Sequence, residues 1–86
     1  VAAEIMGLYK AFRDFCEKDG SILKPAERDA IYAFAEKFGY ASGSNVDVMA
    51  GGHSERHIRR WRLLGGAAQC AEAEITLRSI LKQLSQ

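Results

Sequence analysis

Ile5, Leu8, Phe12 and Phe15 return every three or four residues, and Ile31, Phe34, Ala35 and Phe38 repeat the pattern further along. That spacing puts side chains on one face of an α-helix, whereas a half-buried strand alternates at every second residue. No stretch of the chain alternates in this way. The pattern therefore predicts an all-α fold, a compact bundle of four or five short helices. With 86 residues the chain makes one domain, 1–86, with room for a single small core.

Glycine and proline divide the pattern into elements. The first helix is read over 2–18, its apolar face widened by Met6, Tyr9 and Cys16, and Asp19-Gly20 closes it. Ser21 to Lys24 leads to Pro25, which suits a first helical turn because that turn leaves its amide unpaired anyway. Glu27 and Asp29 then sit at the positive end of the helix dipole, and Gly39 stops the second helix. Tyr40 to Ser44 has turn composition. Asn45 to Ala50 is read as a short helix ended by Gly51-Gly52, and Ser54 as the cap of a further helix, 54–64. A last helix, 67–84, contributes Cys70, Ala71, Leu77, Ile80, Leu81 and Leu84 to the core. Gly65-Gly66 either separates these two or kinks one helix over 54–84, since each glycine costs only about 1 kcal/mol.

Function is written mainly in one run, Gly52 to Arg62, which holds four arginines, both histidines and the sole tryptophan against one acid, Glu55. The net charge of +1 is too small to draw the whole molecule to a polyanion. Its distribution matters more: residues 1–47 carry six basic and eight acidic groups, residues 48–86 six and three. On a helix, Ile58, Trp61 and Leu64 share a core-facing side, Glu55, Arg59 and Arg62 line another, and His53, Arg56 and Arg60 lie beside them.

Over 44–62 this run resembles the helix-turn-helix DNA-binding family, in which a Gly-x-Ser turn opens a recognition helix. The resemblance implies a helix seated in the major groove of duplex DNA. Arg56, Arg59, Arg60 and Arg62, with His53 and His57 beside them, would meet phosphates and bases. Ser54 would cap the helix and touch the DNA backbone. The expected function is then a small DNA-binding regulatory protein, dimeric through 67–84. The alternative is a small helical adaptor or inhibitor that meets an acidic protein surface with the same Arg/Trp face, a composition enriched at binding hot spots. A third reading is a plain solvated surface.

Other chemistry finds less support. His53 and His57 lie four apart and could face one metal ion, but no recognised spacing supplies the remaining ligands, so no metal or cofactor is expected. Cys16 and Cys70 fall on apolar stripes and a chain of this size leaves little room for a cleft, so no enzyme is expected. The segment around Gly20 has loop composition, yet Phe15 and Ala26 would stand where an EF-hand needs calcium ligands. From Asp19-Gly20 through Pro25-Ala26-Glu27-Arg28 to Gly39 the chain is similar to a helical hairpin of TerB-like tellurite-resistance domains, a likeness that mostly restates helix capping.

The 48% hydrophobic and 27% charged content is that of a soluble globular protein, and no apolar run approaches the ~20 residues of a membrane helix. No signal peptide is visible, which points to the cytoplasm. A secreted scaffold of this size usually carries more than two cysteines, so reduced core thiols are the first reading and a Cys16–Cys70 bridge the second.

Overall fold

A computed structural model describes residues 1–17 and 22–85 as four helices: α1 (Ala2–Phe15), α2 (Pro25–Lys37), α3 (Asn45–Leu64) and α4 (Ala67–Leu84). The axis of the bundle is α1. Met6, Tyr9 and Phe12 are fully enclosed, and Ala2, Ala3, Gly7 and Ala11 are buried between them, so almost every side of the helix is covered. A helix that is apolar all round needs neighbours all round. It has them: α2, α3 and α4 each pack on α1, and α2 and α4 also touch one another. The main support of α3 is α1 alone.

The all-α reading holds, with four helices. Ile31 and Ala35 of α2, Leu23 before it, and Ala73 and Leu77 of α4 close the core on one side. Ala50 and Trp61 of α3 close it on the other. Tyr9 meets Tyr32 edge to face at 5.5 Å, and Phe15 meets Trp61 at 5.8 Å. Arg78 joins α4 to α2, pairing with Glu27 at 2.6 Å and donating to the Ile22 carbonyl at 3.2 Å. Buried Glu17 accepts the Leu23 amide at 2.5 Å and so anchors the start of the second helical layer.

Several boundaries differ from the sequence reading. The first helix ends at Phe15 with Cys16 as its cap, and the Asp19-Gly20 stop lies outside the described residues. Phe38, expected on the buried stripe of α2, is the C-cap residue, 61% exposed, its ring tilted against that of Phe34 at 5.0 Å between centroids. The helix there closes as a Schellman turn: the Gly39 amide (φ +94°) donates to the Glu36 carbonyl and the Tyr40 amide to that of Ala35. In α4, Ala71 is exposed and Ala73 is buried in its stead. Gly65 and Gly66, at φ +93° and +88°, make a true break, so 54–84 is two helices.

Cys16 and Cys70 form a disulfide between the end of α1 and the first turn of α4, a correction to the expectation of reduced thiols. The sequence reading placed both on buried stripes. In the fold each is only half-buried, and the Gly65-Gly66 turn brings the start of α4 back to the end of α1, with the two Cα atoms 5.7 Å apart. That separation suits a bridge.

Candidate interaction face on α3

The continuity of α3 is the largest departure from expectation. The helix starts at Ser44, whose hydroxyl accepts the Asp47 amide at 3.1 Å, and runs unbroken through Gly51 and Gly52 to Leu64. Neither the Gly51-Gly52 turn nor a separate helix 54–64 exists. Two glycines cost about 2 kcal/mol of helix propensity. Burial of Ala50, Ser54 and Trp61 against α1 offsets this, and so does a second anchor at the N-terminus. There Asp47 accepts the Gly43 amide at 2.9 Å and pairs with the Lys10 ammonium at 2.5 Å. The Lys10 contact, then the Gly43 amide, holds the Asp47 carboxyl below its ordinary range.

The predicted site residues divide between the two sides of this helix. Arg56, Arg59, Arg60 and Arg62 are exposed, as expected. Ser54 is buried and can neither cap α3 nor touch a ligand. Its expected role fails because the cap stands ten residues earlier in the chain. Trp61 is only 3% exposed, so the face carries no indole. Leu64, assigned to the core, is exposed.

His53 and His57 are half-buried on the flank nearest α1. The His53 Cβ lies against Gly7, and the His57 ring packs beside Trp61 at 5.5 Å between centroids. Each imidazole is joined through Nδ1 to an arginine three residues on, Arg56 at 3.0 Å and Arg60 at 3.2 Å. A guanidinium only donates, so Nδ1 accepts in both contacts, a role open to the neutral imidazole with its proton on Nε2. Burial, followed by the charges of Arg60, His53 and Arg56, pushes His57 below its usual range, which favours that neutral form. Among the described residues no carboxylate pairs with any of the four arginines, while Arg13 and Lys10 each have one and Arg78 has two.

Sequence reasoning missed the apolar part of the same face. Leu63 is 84% exposed, Val48 69%, and Met49 is also bare. At 3.6 residues per turn these three point away from α1, in the same half-circle as Arg56, Arg59 and Arg60. The signal was available in Val48-Met49, but splitting the helix at Gly51 hid their alignment with the arginines.

Two other features border this helix. A groove of about 370 Å³ between α3 and α4 is lined by Leu8, Trp61, Leu64 and Ala73, with Arg60 and Glu72 among its polar groups. The face expected to dimerise, 67–84, keeps Leu77 in the core and Ile80, Leu81 and Leu84 half-buried, leaving Ile75 as its large exposed apolar side chain. No helix among the described residues is long and apolar enough to cross a membrane. Compared with family models, curated proteins and solved structures, the chain matches none.

Proposed function

We propose that this domain is a small helical binding module, an adaptor or inhibitor, that docks the outward face of α3 on an acidic protein surface. The observation that carries the reading is the mixture on that face: exposed Val48, Met49 and Leu63 in line with arginines that have no carboxylate partner among the described residues. Arginine and methionine are enriched in protein interfaces. Phosphates give arginines a partner but offer nothing to two aliphatic ends. The Cys16–Cys70 bridge points the same way. Compartments that hold genomic DNA keep thiols reduced, so the bridge favours an oxidising setting over the cytoplasm expected from sequence.

Duplex DNA is the second reading, favoured by four exposed guanidiniums, without a carboxylate partner among the described residues, on a helix about 30 Å long. One experiment separates the two. A photo-crosslinking residue at Leu63 is used to tag contacts in a source-cell extract, beside a shift assay on random-sequence duplex at low salt. The protein reading expects one crosslinked protein, lost when Arg56, Arg59 and Arg60 are all changed to alanine, and no duplex shift. A shift that weakens by about 0.9 log unit per phosphate contact for each log unit of salt, with no crosslinked protein, favours DNA instead.

A further inference from the structure

We infer that the partner of this face is an amphipathic helix, acidic at its middle and apolar at its ends, lying lengthwise along α3. The inference rests on the protein-binding reading above and names the element that would be bound.

The argument begins with spacing. Met49, Gly52, Arg56, Arg59 and Leu63 follow one another at intervals of three, four, three and four residues. That spacing keeps all five on one narrow seam of the helix, about 21 Å long from Met49 to Leu63, along which a second helix can lie side by side. Ser54 and Trp61, both buried on the α1 side, stand at the position opposite this seam, so the seam points away from the bundle. The helix is thus packed on one side and carries a second, unpartnered packing register on the other. A strip this narrow and long, apolar at both ends and cationic between, is matched by an elongated element laid along it, and a helix is such an element.

Charge then selects the partner. The two outer rungs, Met49 and Leu63, are apolar and bare, whereas the two arginine rungs have no opposite charge among the described residues. Arg60 and Arg62 flank the seam on either side, and Glu55 is the one acid beside it. A second copy of α3 would set arginine against arginine. An acidic helix sets glutamate or aspartate against Arg56 and Arg59, and apolar side chains against Met49 and Leu63.

The arginines are partly arranged for this in advance. His53 holds Arg56 through one N–H, leaving the rest of the guanidinium free to fork onto a carboxylate. Because His53 itself rests against Gly7, the fork is fixed to the bundle and loses less side-chain freedom on binding. Gly52 adds no side chain between the upper and lower rungs, so a partner helix can approach closely there.

The test uses the intact, oxidised chain and three labelled synthetic helices of one length, read by fluorescence anisotropy. The first carries leucines for the outer rungs and glutamates for the middle ones. The second replaces those glutamates with lysine, and the third scrambles the first. Expected are at least about tenfold tighter binding of the acidic helix than of either other, and reversal of that preference by Arg56→Glu with Arg59→Glu. Met49→Ala with Leu63→Ala should weaken the acidic helix severalfold without changing the preference. Circular dichroism checks that each variant keeps its helices. Equal binding of acidic and scrambled helices, or no reversal in the charge-swapped variant, overturns the helix seam. If a crosslinked partner at Leu63 is still found then, the binding-module reading survives its loss. A duplex DNA shift with no peptide binding removes both.

Discussion

Gly7 of α1 lies so close to α3 that a Cβ there would overlap the Cβ of His53 and stand 3.0 Å from the Ala50 carbonyl oxygen. Neither neighbour is the loose end of a side chain, so neither can swing away. Gly7→Ala gains about 1 kcal/mol of helix propensity but forces α1 and α3 apart at this close approach. The expected result is a net loss of about 1–2 kcal/mol in urea unfolding, together with weaker binding of any ligand to the α3 face.

The glycines of α3 should behave in the opposite sense. A Cβ at Gly51 or Gly52 meets nothing within 4 Å, and both residues are helical. Gly52→Ala should stabilise the domain by about 1 kcal/mol. Gly66→Ala should destabilise it by more than that, because its φ is +88° and the new methyl would stand 2.9 Å from the Phe15 ring. The pair of thermal melts is informative because the signs differ within one residue type.

The disulfide gives a third expectation. It closes a loop with a sequence separation of 54, which in the chain-entropy account contributes about 4 kcal/mol. Cys16→Ala with Cys70→Ala should lower stability by up to that amount. The unreduced wild type should show no free thiol in a denatured-state thiol assay.

Acid should act through His57. Its folded pKa lies below the ordinary 6.5, so between the two values the unfolded chain holds more protons than the folded one. Stability then rises with pH across that window, is complete above 6.5 and declines as pH falls through it. The urea midpoint of the wild type should fall below pH 6.5, and His57→Gln should flatten that fall. Asp47, whose carboxyl is held low by Lys10 and the Gly43 amide, adds a separate loss in stronger acid, below its ordinary 3.8.

Local chemistry made most of the architecture readable. Pro25 and Gly39 bound α2 as expected, because an unpaired first-turn amide and a left-handed stop act within a few residues. Gly65-Gly66 breaks the chain for the same reason. Gly51-Gly52 did not, and the difference is tertiary: Ala50 and Ser54 are buried on α1, and Lys10 reaches Asp47 from another helix. Nothing within the run 45–64 announces those partners. The four arginines were placed outward correctly by helical phase, while the error at Gly51 concealed Val48 and Met49 as their neighbours. Cys16 and Cys70 could not be paired from spacing, since what joins them is the turn of α4 back toward the end of α1.

The bridge encloses α2 and α3 within one covalent ring that runs from residue 16 to residue 70. A protease that clips the chain once at the exposed arginines of α3 therefore yields two fragments still linked by sulfur. Such a nick would go unseen on a gel run without thiol and would split the band only after reduction.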